Sequence, residues 1–123
     1  MWSSPIGKVA TVIRVLIGLE LCSYREAIAM ALQYERPQAW VHTADPEVFD
    51  LEMMHLEPHV VICSQTTPAV RDGALCWVMM LVVGEDLRAV VSVGGRCKIV
   101  SNITLTELVS LIDEAEASVR AQQ

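Results

Sequence analysis

Five short apolar stretches alternate with amphipathic stretches along this chain, and this alternation limits the fold more than any other feature. Each apolar stretch is bounded by polar, Gly or Pro residues. The five stretches are residues 11–17, 38–43, 59–63, 77–83 and 97–100. Such stretches are typical of buried strands. Because helical patterns separate several of them, the sequence predicts βαβ units, which form a parallel sheet with helices on both faces.

Helix starts are indicated by two capping boxes, in which a hydroxyl and a carboxylate each bind a free backbone N–H of the first turn. Ser23 and Glu26 form one pattern, and Thr104 and Glu107 form the other. The first predicted helix ends before Pro37, since proline cannot continue a helix. The last predicted helix carries apolar residues at helical spacing after its capping box.

The middle of the chain is less clearly patterned. Asp45 suits a helix N-cap and Pro46 the first helical position. Residues 64–76 predict a loop with at most one helical turn. Residues 86–91 favour a short helix, although residues 89–95 also fit one arm of a hairpin that ends at two glycines. The predicted fold is therefore α/β: a doubly wound, flavodoxin-like five-stranded parallel sheet with reduced third and fourth helices.

Length, charge and cysteine usage exclude several classes of protein. The 123 residues predict one domain, and no apolar run reaches the roughly 20 residues of a membrane span. The net charge is −6 and the nine Lys and Arg residues are scattered, which disfavours nucleic acid and acidic membranes. The four cysteines form no CxxC pair, so no structural zinc is expected, and a reducing cytoplasm is the expected setting.

Three stretches resemble the receiver domains of bacterial response regulators. Residues 15–28 (VLIGLELCSYREAI) resemble the first strand and helix of a receiver, and residues 58–68 (PHVVICSQTTP) resemble its third strand and the loop after it. Residues 94–101 (GGRCKIVS), followed by residues 106–108, resemble its last strand and helix. The resemblance implies Mg²⁺-dependent phosphoryl transfer to an aspartate. In a receiver an acidic pair holds the Mg²⁺, and a Ser/Thr and a Lys contact the phosphoryl group.

The residues at those five positions depart from the receiver pattern. The acidic pair aligns with Leu19 and Glu20, the nucleophile with Ser64, the Ser/Thr with Val83, and the Lys with Ser101. One carboxylate and a neutral alcohol cannot position a hydrated Mg²⁺ and accept a phosphoryl group. The sequence therefore predicts no catalysis, no metal and no cofactor at this degenerate pocket.

The resemblance then favours a single receiver-like domain over residues 1–123, without an output domain. It is expected to act independently of phosphorylation, as a signalling or regulatory domain that binds a protein partner or forms a homodimer. The expected interaction surface comprises Arg96, Lys98, Leu105 and Val109. The alternative is a small-molecule sensor that binds a neutral ligand in the degenerate pocket, because open α/β sheets bind ligands at the carboxyl ends of their strands.

The connection between the third and fourth predicted strands is shorter than in a receiver, which bears on how the sheet is covered. A missing helix is expected to leave Met79, Met80, Val90 and Val91 open as an interaction surface. Alternatively, Trp77 and the neighbouring loop fold over the gap.

Overall fold

The computed structural model of this chain describes residues 12–122. Within that range the chain forms six strands and four α-helices around one sheet. The strands are β1 (Arg14–Gly18), β2 (Trp40–Thr43), β3 (Val60–Cys63), β4 (Cys76–Val83), β5 (Asp86–Val93) and β6 (Arg96–Ser101). The helices are α1 (Cys22–Glu35), α2 (Phe49–Leu56), α3 (Pro68–Gly73) and α4 (Leu105–Ala121), and a 3₁₀ turn (Pro46–Val48) leads into α2. The predicted start of the first strand, Thr11, lies outside the described residues.

The sheet is mixed, with the strand order β2-β1-β3-β4-β5-β6. The first four strands are parallel, and Val15 of β1 lies between Val41 of β2 and Val60 of β3. From β4 onward the strands are antiparallel, with Met80 opposite Ala89 and Ala89 opposite Val100. The parallel half contains the predicted βαβ units, and the antiparallel half does not.

The prediction of a five-stranded, all-parallel flavodoxin-like sheet is therefore wrong. The segment predicted as a short helix is the strand β5, which returns beside β4 as one arm of a hairpin. Two tight turns explain this outcome. Gly84 (φ 64°) turns the chain between β4 and β5, and Gly94 and Gly95 (φ 58° and 85°) turn it between β5 and β6. Two-residue turns with positive φ match the twist of antiparallel strands, and glycine adopts them without strain.

Two pairs of helices cover the two faces of the sheet. On one face, α1 and α4 pack over a core that includes Val15, Ile17, Leu32, Val78, Leu108 and Ile112. On the other face, α2 and α3 pack over a smaller core that includes Leu16, Phe49, Met53, Val61, Val70 and Trp77. The central strands β1 and β3 are thus buried on both faces, which explains why their sequences are apolar throughout rather than alternating.

The two capping boxes have different outcomes. At α4 the pattern is confirmed: the Thr104 hydroxyl accepts from the Glu107 N–H (3.2 Å), and the Glu107 carboxylate accepts from the Thr104 N–H (3.1 Å). At α1 it is wrong, because the helix begins at Cys22, one residue before the pattern, with Leu21 in the N-cap position. Ser23 is then exposed and within the first turn, so it caps nothing in the described chain.

The shortened connection after β3 is covered rather than open. Its six-residue helix α3 buries Val70 against Trp77, which is 8% exposed. Met79 and Val90, two of the four side chains expected at an open surface, are half-buried against the same core. The other two, Met80 and Val91, are buried on the opposite face under α1 and α4.

Candidate functional site

Part of the predicted pocket forms at the carboxyl ends of β1 and β3. The strand order reverses direction between these two neighbours, since the chain leaves β1 toward β2 on one side and leaves β3 toward β4 on the other. There the Glu20 N–H donates to the Ser64 hydroxyl oxygen at 3.1 Å. Leu19 precedes Glu20 and is buried, whereas Glu20 itself is exposed. The structure thus brings Leu19, Glu20 and Ser64 together.

Val83 and Ser101 do not join that group. The end of β3, Cys63, lies opposite Met79, so β4 continues for four residues beyond it before reaching Val83. Ser101 lies opposite Arg88 of β5, which separates it from β4. Three strand spacings, about 14 Å, therefore separate Ser101 from β3. The predicted five-residue pocket is incomplete because the inserted strand β5 pushes the last strand outward.

A polar cleft opens on the α2 side of the Glu20–Ser64 contact. Its volume is about 150 Å³, and its polar lining comprises Glu20, Glu47, Asp50, Ser64, Gln65 and Thr67. The Thr67 hydroxyl donates to the Asp50 carboxylate at 3.1 Å. Among the described residues no Lys or Arg lines this cleft, so the charge of its lining repels phosphate rather than attracting it. Within residues 12–122 no three His, Cys, Asp or Glu side chains are arranged to hold a metal ion.

An apolar cleft opens on the other side of the same contact, toward the β4–β5 hairpin. Its volume is about 370 Å³. The walls are mostly carbon, from Leu19, Leu21, Tyr24, Leu81, Val82 and Leu87, and Glu20, Ser64 and Gln65 line it together with the polar cleft. The β4–β5 hairpin, whose second arm is the segment predicted as a short helix, therefore supplies one wall of this cleft.

A buried arginine connects the loops that form these clefts. Arg25 of α1 is 5% exposed; its guanidinium donates to the Leu19 carbonyl oxygen at 3.0 Å and to the Asp45 carboxylate at 2.7 Å. Asp45 was predicted as a helix cap, but its side chain caps nothing and binds Arg25 instead. Sequence reasoning missed this contact. The available signal was the position of Arg25 on the inward stripe of α1, three residues before Ile28 and seven before Leu32.

The end of β1 also requires glycine. A Cβ on Gly18 would overlap the ring of Phe49, which is 6% exposed at the start of α2. The close approach seats α2 against β1 directly beside the polar cleft. The predicted pattern of apolar strands and helices gave no sign of this particular contact.

The expected interaction surface is only partly at the surface. Arg96 and Lys98 lie on β6, one of the two edge strands of the described sheet, and both are exposed. Leu105, the first residue of α4, is 37% exposed. Val109, one turn later, is 8% exposed and packs into the core with Leu108, so it is not available to a partner.

Acidic residues of α4 lie close to the basic strand. Lys98 lines a small groove of about 120 Å³ together with Glu107 and Glu114. Even so, among the residues that the structure describes, neither Lys98 nor Arg96 forms an ion pair. On the opposite face of β6, Ile99 is 72% exposed.

Comparison with known proteins finds no family model that matches this chain, and no curated protein or solved structure with significant similarity. No helix in residues 12–122 is both long and apolar enough to span a membrane.

Proposed function

We propose that this chain is a receiver-like interaction module that acts by self-association along β6 and does not transfer phosphoryl groups. The relation to receivers rests on the sequence resemblance. It is also supported by the order β2-β1-β3-β4 of the four parallel strands, which is the order of the first four strands of a flavodoxin-like sheet.

The chemistry at the carboxyl edge supports a role in binding rather than phosphoryl transfer. Ser64 stands where a receiver has its nucleophilic aspartate, and Glu20 is the single carboxylate of the aligned pair. Neither cleft beside Ser64 is lined by a Lys or Arg of residues 12–122, and Ser101 lies three strands away from β3. Phosphoryl transfer depends on positive charge around the transferred group, and these clefts lack it.

The observation that carries the proposal is the exposed edge of the sheet at β6. An outer strand presents unpaired N–H and C=O groups, which are a template for another strand unless something blocks them. In β6 the exposed side chains include the basic Arg96 and Lys98 on the α4 face and the apolar Ile99 on the opposite face. We name Arg96, Lys98, Ile99 and Leu105 the edge surface.

Charge complementarity supports a second copy as the partner. The chain is acidic overall, yet the edge surface carries two cations without ion pairs among the described residues. Lys98 faces the same side of the sheet as α4, where Glu107 and Glu114 lie. In a two-fold β6–β6 pairing, Lys98 of each copy would face α4 of the other, so every favourable contact would occur twice.

Sedimentation and light scattering over a range of protein and salt concentrations test this proposal. We expect a monomer–dimer equilibrium that weakens as salt rises, because the Debye length falls to about 10 Å at 0.1 M. Lys98→Glu should weaken the dimer by about tenfold or more, because it places like charges together at two equivalent contacts. Arg71→Glu, a reversal at an exposed arginine of α3, is the matched control and should leave the equilibrium unchanged.

A spin label on Cys97 tests which edge pairs. Cys97 is exposed on β6, and Cys22→Ser removes the second exposed thiol. Pairing at β6 predicts a short distance between the two labels, within about 20 Å, since paired strands are about 4.8 Å apart. If the protein remained monomeric at concentrations on the order of 1 mM, where even a weak specific dimer would form, the proposal would be contradicted. So would a dimer that Lys98→Glu does not weaken.

A further inference from the structure

We infer that the apolar cleft binds a small amphipathic cation: a molecule with an apolar body and one protonated amine. This goes beyond self-association at β6 and does not depend on it, because the cleft is built from the loop after β1, the loop after β3 and the β4–β5 turn.

The location of the cleft is the first support. It lies at the carboxyl ends of the parallel strands, where the crossover direction reverses between β1 and β3. Open α/β sheets bind ligands at this point, because the two loops diverge there and leave a crevice. The cleft volume, about 370 Å³, falls within the range of roughly 300–1,000 Å³ that small-molecule sites occupy.

Apolar exposure is the second support. The floor is buried, with Leu19 3% and Met80 6% exposed, whereas Leu21 and Val82 at the rim are 70% and 76% exposed. Apolar side chains that surround a concave surface gain free energy when an apolar molecule displaces the water between them. The walls therefore select an apolar body.

The polar groups at one end select the head of the ligand. Of the residues that the structure describes, Glu20 is the one charged residue in the lining. The Ser64 hydroxyl oxygen already accepts from the Glu20 N–H, and no acceptor for its proton is found among the described residues. A carboxylate and a hydroxyl at the same end of an apolar cleft match an ammonium group, and they oppose a carboxylate or a phosphate.

Three probes that share one apolar body test the inference: phenylbutylamine, phenylbutanol and phenylbutyrate. Binding is followed by chemical-shift changes in ¹H–¹⁵N spectra of the full chain. We expect saturable shifts at Leu21, Tyr24 and Leu87, with affinity in the order amine, alcohol, acid. An exposed charge pair contributes modestly, so the amine should bind about fivefold tighter than the alcohol.

Two substitutions test which residues select the ammonium group of the ligand. Both are at exposed positions, so we expect the fold to be retained. Glu20→Gln should remove the preference for the amine, so that the ratio of amine to alcohol affinity falls to about one. Val82→Lys places a cation at the rim and should weaken the amine more than the alcohol. Glu26→Gln changes an exposed glutamate of α1 that lines neither cleft, and it should bind all three probes like the unmodified chain.

Two outcomes would overturn the inference. One is the absence of saturable binding for all three probes. The other is binding of the acid as tight as that of the amine, because it would show that Glu20 does not select the ligand.

Discussion

Gly18 shows how a single missing side chain positions the neighbourhood of the site. Its Cα lies so close to the Phe49 ring that any Cβ overlaps the ring. We expect Gly18→Ala to lower the free energy of unfolding by about 2 kcal/mol, since overpacking a core forces its neighbours to shift. Urea denaturation measures the loss.

Two further variants show whether the loss comes from that overlap. In the double variant Gly18→Ala/Phe49→Leu, the smaller leucine leaves room for the added Cβ. The losses of unfolding free energy in the two single variants should therefore sum to more than the loss in the double variant. Gly73→Ala is the control, because a Cβ there meets only the end of Met53 at an ordinary distance of 3.6 Å. If Gly18→Ala were as stable as Gly73→Ala, the close packing of α2 on β1 would be wrong.

His59 makes the start of β3 sensitive to pH. The His59 Nδ1 accepts from the backbone N–H of Arg14 at 3.0 Å, and the backbone N–H of His59 donates to the Arg14 carbonyl oxygen at 2.9 Å. Burial, with a smaller effect of the Arg14 charge, lowers the pKa of His59 below its usual value of 6.5. The neutral His59 therefore stabilises the folded chain, because on acidification the unfolded chain takes up the proton first. This contribution to the free energy of unfolding is complete above pH ~6.5 and is lost as the pH falls through the lower pKa of the folded chain.

The corresponding prediction compares two histidines. We expect the urea midpoint to fall between pH 7.5 and 5, about 1 unit above and about 1.5 units below the usual histidine pKa of 6.5. His59→Asn should reduce that fall, because asparagine offers an acceptor at a similar position and does not titrate. His55→Asn, at an exposed position on α2, should retain the full pH dependence. Equal pH dependence in the two variants would contradict a role for His59.

At the level of elements, the two capping boxes provide a matched pair. Thr104→Ala removes a hydroxyl that binds the Glu107 N–H, so it should cost about 1 kcal/mol of unfolding free energy. Ser23→Ala removes an exposed hydroxyl from a pattern that the structure does not use, so its effect should stay within about 0.5 kcal/mol. Thermal unfolding of both variants decides the question. A larger loss from Ser23→Ala than from Thr104→Ala would place the start of α1 elsewhere.

At the scale of the whole molecule, the four thiols report on both the fold and the proposed dimer. Cys22 and Cys97 are exposed, whereas burial raises the pKa of Cys63 and of Cys76 to about 12. A disulfide reagent such as dithiobis(nitrobenzoate) attacks thiolates, so two thiols should react quickly and two only on unfolding. If β6 pairs with β6, raising the protein concentration should slow the reaction of Cys97 with the reagent and leave the reaction rate of Cys22 unchanged. Four fast thiols would contradict the buried placement of β3 and β4.

Much of the fold was predictable because it depends on local patterns. The central strands are continuous apolar runs that suit burial on both faces, and α4 carries both its capping box and its apolar stripe within its own sequence. The direction of β5 was not predictable in this way. Residues 86–95 fit a helix or a hairpin arm locally, and pairing with β4 along eight positions decides between them.

The candidate site was likewise predictable only in part. Leu19, Glu20 and Ser64 follow neighbouring parallel strands, so the order of elements in the sequence is enough to bring them together. The displacement of Ser101 and the apolar wall at Leu81 and Leu87 depend on an antiparallel strand inserted at the sheet edge. The parallel half of this protein could be predicted from its sequence, because alternating apolar strands and capped helices permit few arrangements. The antiparallel half is apparent only in the folded chain, because strand pairing there depends on contacts between segments that carry no local signal of their partner.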